Sequence, residues 1–591
     1  MTNKPPRRRL SARTALLCLP VAAWAQVTPP VSAGQLLEQQ RRLDQQQAPS
    51  LQERSSPLRE GASAADGASS SGPQLTPQRF KLVGNTLLSE SVLQDVLRPW
   101  LGHPASTATL QTATAALEQA YREAGWLARV TPPRQDVSTG DLSFEITEAH
   151  TGHVRIAPAS AGSGEPSSYM SERVLAMLNA QLPPGAPLNL NDLQRALLIA
   201  GELPGLTVAG SLQAGTDPGT TDVLLQVAIA PMLRGQVGID NAANRITGSN
   251  RMNASLSLNS PWGVGEQIGL STSVTQGTEY LRGFASMPIG LSGWRVGINA
   301  SALRYRVLDE SNTTTGEPPR GTSQTVGMDL QIPLLRSARA HWDVNLGTEQ
   351  RRQANRDDVN TVGFTEPISA ARSRTGHIGI SGYAFDAFGG GGQIQAGAQI
   401  VAGRLNLDGS PDTALIGDIA TVNTPGDYRV LRWNLSRLQA ITPSLSLSAG
   451  TNGQFASRNL DSSEKLYLGG MGAVNAYPSS EAGGSNGVLV NIELRQRFGE
   501  HWQATCFWDW GQVRQYEKNS RADGGGDITA SNDVALRGIG VSVSWRRDNG
   551  MHLRATWARR LGSNPLASAA GSDTDGSLHP NRIWLDAGID F

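Results

Sequence analysis

From Gly235 to Phe591 apolar residues alternate with polar ones. Met252, Ala254, Leu256 and Leu258 interleave with Asn253, Ser255, Ser257 and Asn259. Leu445, Leu447 and Ala449 interleave with Ser444, Ser446 and Ser448, and Leu553, Ala555 and Trp557 with Arg554 and Thr556. Ile583, Leu585, Ala587, Ile589 and Phe591 interleave with Trp584, Asp586, Gly588 and Asp590. A period of two puts each set on its own face of a sheet. A soluble sandwich or β-helix packs a bulky apolar face inside. Here the apolar face is modest and the polar one carries Arg, Asn and Ser. No apolar run approaches the roughly 18 residues of a membrane helix, so any membrane crossing uses strands. A membrane barrel turns its apolar face to lipid and lines its lumen with polar groups. Open sheet edges are not tolerated in lipid, so such a sheet closes. Trp262, Trp294, Trp433, Trp545 and Trp584 lie in or near these strands and suit an interfacial girdle. The pattern favours the closed barrel, over residues 232–591.

Residues 78–149 read as a compact α/β unit. Phe80, Leu82 and Val83 begin a strand, Gly84-Asn85 marks a turn, and Ser89 caps a helix through Trp100. Ser106 caps a second helix, whose Leu110, Ala113, Leu117, Ala120 and Tyr121 form one apolar face before Gly125 ends it. Trp126 to Val130 and Leu142 to Ile146 alternate as strands. Residues 150–231 repeat the order, with helices at 171–182 and 191–200 and strands at 154–156, 206–212 and 222–230. The β-α-α-β-β order is similar to a POTRA domain, on Tyr121, Gly125-Trp126, Pro133, Gln135, Gly140, Glu148 and the Leu203-Pro204-Gly205 turn.

The N-terminus reads as an export leader over residues 1–25. Lys4, Arg7, Arg8, Arg9 and Arg13 precede a short apolar core and the small-x-small site Ala23-Trp24-Ala25. Residues 26–48 hold a polar helical pattern with Leu36, Leu37 and Leu43 as its large apolar residues, either solvated or housed in a wet cavity. Residues 49–77 are a linker rich in Ser, Ala, Gly and Pro. The whole chain balances 51 basic against 51 acidic residues; without the leader's five cations, 46 face 51. That balance does not point to nucleic acid. Cys18 leaves with the leader, so Cys506 has no intrachain partner.

Leu466 to Leu494 reads LYLGGMGAVNAYPSSEAGGSNGVLVNIEL. Glycines and a long span without a strand pattern mark a loop, and loops beyond about 12–15 residues are usually functional or disordered. Its tip is Val474-Asn475-Ala476-Tyr477-Pro478. Downstream, Phe507, Asp509, Gly511 and Val513 share one face of a strand. No histidine shows metal-ligand spacing, no catalytic constellation stands out, and Gly389 to Gly392 lacks the lysine of a phosphate loop.

The loop resembles that of two-partner secretion transporters, the hemolysin/hemagglutinin secretion-activation proteins. Gly469-Gly470, Val474, Ala476-Tyr477-Pro478, Glu481 and Gly487 match, and Asn475 stands where the family has arginine. Asp240-Asn241, Gly265-Glu266, Gly293-Trp294 and Pro333-Leu334-Leu335-Arg336-Ser337 match in order along the barrel. The resemblance implies an outer-membrane pore of a Gram-negative bacterium with about sixteen antiparallel strands, roughly 22 residues per strand and connection, over two periplasmic POTRA domains. It implies that the N-terminal helix plugs the lumen and that loop 466–487 lies there. It implies that the tip meets Asp509 of a Phe507-x-Asp509-x-Gly511 motif, a contact that Asn475 makes without the charge of an arginine. The implied partners are a large secreted exoprotein with an N-terminal secretion domain, outer-membrane lipid and, during biogenesis, the barrel assembly machinery. No cofactor and no enzymatic activity are implied. The alternatives are an assembly factor of the same superfamily, which would carry more POTRA domains, and a diffusion porin or outer-membrane hydrolase, which would lack them.

Overall fold

The computed structural model describes residues 31–46, 58–59, 76–104, 106–131, 141–158, 167–308, 318–356 and 368–591. The predicted leader (1–25), most of the predicted linker (49–77), and Pro133, Gln135 and Gly140 lie outside them.

Helix α1 (Ala33–Gln46) is followed by a two-residue strand β1 (Leu58–Arg59). The first α/β unit comprises β2 (Arg79–Val83), α2 (Glu90–Leu97), α3 (Thr107–Glu123), β3 (Ala128–Thr131) and β4 (Asp141–Glu148). Its sheet runs β2-β4-β3. Ser106 and Thr109 form a reciprocal capping box at the start of α3. The predicted apolar stripe buries Ala113, Leu117 and Tyr121 against Phe80, Leu142 and Phe144. Gly125, at φ +86°, ends the run. A Cβ there would meet Asn191 of the next unit at 2.3 Å, so the two units pack closely at this point. The second unit comprises β5 (His150–Ile156), α4 (Ser168–Gln181), α5 (Leu190–Gly201), β6 (Leu206–Ala214) and β7 (Thr220–Ile229). Its sheet runs β1-β6-β7-β5. The linker therefore supplies an edge strand, where its composition suggested no order.

The barrel strands follow. They are β8 (Leu233–Asp240), β9 (Arg251–Asn259), β10 (Gln267–Val274), β11 (Thr278–Ile289), β12 (Trp294–Arg306) and β13 (Arg320–Arg336). Next come β14 (Ala340–Arg356), β15 (Ser369–Asp386), β16 (Gly392–Asn406), β17 (Gly426–Ala440) and β18 (Leu445–Ala456). Short strands β19 (Leu466–Tyr467) and β20 (Gly483–Gly484) pair apart from the wall. The wall resumes with β21 (Asn486–Phe498), β22 (Trp502–Arg514), β23 (Asp533–Arg546), β24 (Met551–Arg560) and β25 (Asn581–Asp590). Among the described residues, sixteen strands pair antiparallel around a closed circuit, and β25 pairs with β8 to seal it.

The polarity is inverted relative to a soluble protein. Met252, Leu256, Ile298, Val326, Ile400, Ile583 and Leu585 are exposed on the outside. Asn253, Ser323, Thr325, Gln353 and Thr505 are buried inside. This is the arrangement lipid requires of a barrel. Trp262 and Trp294 are exposed. Trp584 departs from the expected girdle. It is 5 % exposed and points inward, because it belongs to the set that alternates with Ile583 and Leu585.

The lumen holds α1. Val31, Ala33, Leu36 and Leu37 pack against Ile246, Tyr280, Leu303, Tyr305 and Val307 of the inner wall and its rim. Arg41 of α1 pairs with Glu349 at 2.6 Å. Arg351, 1 % exposed, bridges Glu349 and Glu464, and Glu464 also binds Arg432. The polar helix thus places Leu36 and Leu37 on an apolar patch and Arg41 in an ionic network of the wall.

Below the barrel, the second α/β unit is pinned to the rim. Arg336 Nε donates to Glu202 at 2.8 Å, and its Nη2 donates to Asp343 at 2.5 Å. Gly293 lets Ile199 approach, since a Cβ there would stand 2.5 Å from Ile199 Cγ2.

Candidate functional site: the lumenal loop and its dock

Strands β19 and β20 close the base of the 466–487 loop. Val474 N–H donates to Leu468 O at 2.8 Å and Tyr477 N–H to Val474 O at 3.2 Å, so the tip folds back on its own stem. Ala473, Val474, Ala476, Tyr477 and Pro478 are buried. They meet a lumenal patch of Leu489, Phe507, Val513, Val534, Leu536 and Ala558. Two wall glycines make room. A Cβ at Gly511 would stand 2.8 Å from Leu468 Cδ2, and one at Gly538 would stand 2.8 Å from Ala476 Cβ.

Asn475 sits beside Asp509. Its Nδ2 donates to Asp509 Oδ2 at 2.8 Å, and its backbone N–H donates to the same oxygen at 3.0 Å. Asn491 Nδ2 donates to Asp509 Oδ1 at 2.8 Å and to Ala473 O at 3.0 Å. Trp584 Nε1–H donates to Asn475 O at 2.8 Å. These donors are neutral, where an arginine would bring a charge. The Arg560 guanidinium lies 5.2 Å from the Tyr477 ring centroid and binds Asp573 rather than replacing the missing arginine. Apolar burial holds the tip as well. Burying Val474 alone is worth about 1.5–3 kcal/mol, and the larger Tyr477 ring adds to it. A hydrogen bond to a charged group is worth a similar 1.5–3 kcal/mol.

The far side of the loop is held by a second set. Glu481, fully buried, accepts from Asn564 Nδ2 at 2.7 Å and from the backbone N–H and hydroxyl of Thr574. Ser480 and Ala482 flank it with φ of +66° and +54°. Such non-glycine conformations cost about 1–3 kcal/mol each and persist only where neighbours fix them. Ser479 Oγ donates to Ala242 O at 2.7 Å, and Gln35 of α1 donates to Ser480 O at 3.2 Å. The loop is therefore bonded to the wall, to the 561–580 connection and to α1.

Of the residues expected to matter, Val474, Ala476 and Tyr477 come together with Phe507 in one buried cluster, the half-buried Asn475 bonds Asp509, Gly511 lies against Leu468, and Pro478 is buried next to Tyr477. Asn491, Trp584, Asn564 and Thr574 are not expected at this site from the sequence, which suggests Trp584 for the interfacial girdle instead. The first two carried a signal, being polar-phase residues of alternating strands. The last two lie in a connection whose sequence has no period to read.

Residues 219–543 match the model of the haemolysin secretion/activation protein ShlB/FhaC/HecB, and residues 75–149 match the ShlB-type POTRA domain. The heme/hemopexin transporter protein HuxB of Haemophilus influenzae (strain 86-028NP) is 22 % identical over 495 residues, 80 % of this chain and 81 % of that one. The outer membrane transporter CdiB of Escherichia coli is 24 % identical over 508 residues, 83 % of this chain and 81 % of that one. The solved structure of CdiB from Escherichia coli superposes with a TM-score of 0.67 at 19 % identity, covering 96 % of this chain and all of the other. With its matched span covering more than half its length, the chain belongs to the haemolysin secretion/activation protein family.

Proposed function

We propose that this chain is the outer-membrane pore of a secretion pair, which recognises one large exoprotein in the periplasm and conducts it outward without hydrolysing nucleotide. The observation that carries this reading is a closed, lipid-facing barrel whose lumen holds α1 and the 466–487 loop, both through breakable side-chain contacts. A diffusion porin keeps its lumen open, and it has no use for two α/β units of which the second is pinned to the rim. The exoprotein carries an N-terminal secretion domain that the two units capture, and its folding outside the cell draws the rest through. Val474 to Pro478 and the Phe507-Asp509-Gly511 face form the gate contact that must part during transit. The barrel assembly machinery inserts the chain itself. Deletion in the native host tests this: one large exoprotein should vanish from the medium while other outer-membrane barrels persist. A general loss of barrels would instead favour an assembly role.

A further inference from the structure

We infer that the outward face of β14 to β17, at the end of the barrel away from the α/β units, binds the phosphates of a bis-phosphorylated glycolipid of the outer leaflet, the lipopolysaccharide class. The inference needs only a barrel in the outer membrane and stands apart from the secretion reading.

Alternation and register build the site. Residues directly opposite each other in an antiparallel ladder share a face. Arg352 stands opposite Arg372, and Arg374 opposite Arg404. In the same ladders and the same phase, Ile378 stands opposite Leu346 and Ile400. Ile378 and Ile400 are exposed on the outside, so the four arginines lie on the face that meets lipid. Arg372 and Arg374 are neighbours on that face of β15, which joins the four into one patch three strands wide. Arg356 and Arg429 extend it on β14 and β17. All these arginines are exposed.

The patch lacks matching acid. Like charges directly opposite each other destabilise a sheet. Among the described residues one ion pair relieves these arginines, Arg404 with Asp427 at 2.6 Å. The inward Arg351, next to Arg352 on the same strand, is by contrast matched by Glu349 and Glu464. An uncompensated guanidinium cluster on a lipid-facing wall calls for an anion from the membrane itself. Guanidinium meets phosphate in bidentate, charge-assisted hydrogen bonds.

Height identifies the leaflet. Arg336 and Asp343 mark the periplasmic rim, where Glu202 docks. Asp386 ends β15 at that rim. Between Arg374 and Asp386 the outward residues of β15 are Gly376, Ile378, Ile380, Gly382 and Ala384, and none is charged. The twelve residue steps from Arg374 to Asp386 span about 40 Å of strand, or about 30 Å along the axis at a tilt of about 40°. The two charged levels therefore bracket an apolar band of about 25 Å. At the periplasmic level Arg437 is balanced by Asp386 at 2.7 Å. On these strands the excess of cations belongs to the outer level, where the outer leaflet presents its phosphorylated glycolipid. A headgroup with two phosphates on one disaccharide can span several of these arginines, whereas a phospholipid brings one phosphate.

The test uses the full-length protein in neutral-detergent micelles, with purified bis-phosphorylated lipid A as the probe. Lipid A should raise the unfolding midpoint of the parent barrel by several degrees, read by the change in gel migration on heating. Arg352→Gln/Arg372→Gln/Arg374→Gln/Arg404→Gln should need about tenfold more lipid A for half the shift, since it loses the charge-assisted contacts. Arg537→Gln/Arg559→Gln, on the outward faces of β23 and β24, should respond as the parent does. Migration without heating reports whether each variant is folded. If the fourfold variant does not fold, Arg352→Gln/Arg372→Gln and Arg374→Gln/Arg404→Gln should each weaken the response several-fold. Equal half-saturation in the parent and the folded variants overturns the proposal. So does a parental shift given equally by dephosphorylated lipid A or by phosphatidylglycerol, because apolar contact or any anionic lipid would then suffice. A variant that binds lipid A normally yet secretes less exoprotein would assign the arginines to the emerging cargo and overturn it as well.

Discussion

Asn475 grips Asp509 by two donors on one oxygen, its side-chain amide and its own backbone N–H. The backbone contact does not depend on the side chain, so the loop keeps a hold on the wall whatever residue stands at 475. Asp509→Ala removes both of these bonds and the one from Asn491, so three donors lose their acceptor, while Asn491 keeps its bond to Ala473 O. Asn475→Ala removes one. With about 1.5–3 kcal/mol per hydrogen bond to a charged group, Asp509→Ala should free the loop far more than Asn475→Ala. Limited proteolysis within 466–487 and the amount of exoprotein secreted both report this. Wild-type secretion and protection in Asp509→Ala would remove the pair from the mechanism.

Alternation put Phe507, Asp509 and Gly511 on one face of a strand, and the resemblance turned that face to the lumen. The same rule placed Trp584 inside, with Asp586 and Gly588. Its size and its place in a strand suggested an interfacial girdle, yet phase outweighs residue type in a wall that is one residue thick. Nothing local marked Glu481 as the second anchor, because its partners Asn564 and Thr574 lie some ninety residues away in an irregular connection. The linker strand β1 was illegible for a related reason. Its pairing is made by backbone, and composition says nothing about that.

Gly511 tests whether the loop or the wall sets the pore. A side chain there must displace Leu468 or Leu489, whose methyls already lie 2.8 Å from the Cβ position. Overpacking of this kind costs about 1–3 kcal/mol. The wall is held by a continuous ladder on both sides of β22, whereas the loop is held by side chains. The loop should therefore yield. Gly511→Val is expected to give a folded barrel with single-channel conductance in planar bilayers several times that of the parent. A conductance equal to the parent's would mean that the loop stays docked despite the clash.

Arg336 is the fastening between the second α/β unit and the rim. It is 4 % exposed and holds Glu202 on one side and Asp343 on the other. His341 lies between the same two carboxylates, at 3.3 Å from Glu202 and 2.9 Å from Asp343. Removing one member of a buried ion pair costs about 3–5 kcal/mol, because the partner charge is left without compensation. Arg336→Met should speed amide exchange across α5, where Glu202 follows the last turn, while exchange in the distant β22 stays slow. Glu202→Gln keeps an acceptor for the guanidinium and should have a smaller effect. If α5 exchanges at the parental rate in Arg336→Met, the unit is held by packing instead, at Gly293 against Ile199 and at Gly265, where a Cβ would stand 3.2 Å from Leu203 Cδ2.

Glu148 gives the first α/β unit a pH dependence of known sign. Burial alone would raise its carboxyl, but the Thr86 hydroxyl, the backbone N–H groups of Leu87 and Thr86 and the Tyr121 hydroxyl all donate to it and hold it below the ordinary carboxylate range. A group depressed on folding contributes stability in full above its unfolded value, near pH 4.3 for glutamate, and loses it as pH falls through the lower folded value. The carboxylate ties the turn after β2 to the end of β4 and to α3, so its protonation should loosen the turn first. Amide exchange at Thr86 and Leu87, followed between pH 6 and pH 3 against a reference amide in α3, should accelerate beyond the intrinsic rate only toward the acid end. Glu148→Gln removes the titrating group, so its profile should be flat across the same range and its protection lower throughout. A parental turn that stays protected down to pH 3 would mean that Tyr121 and the apolar core hold it without the charge.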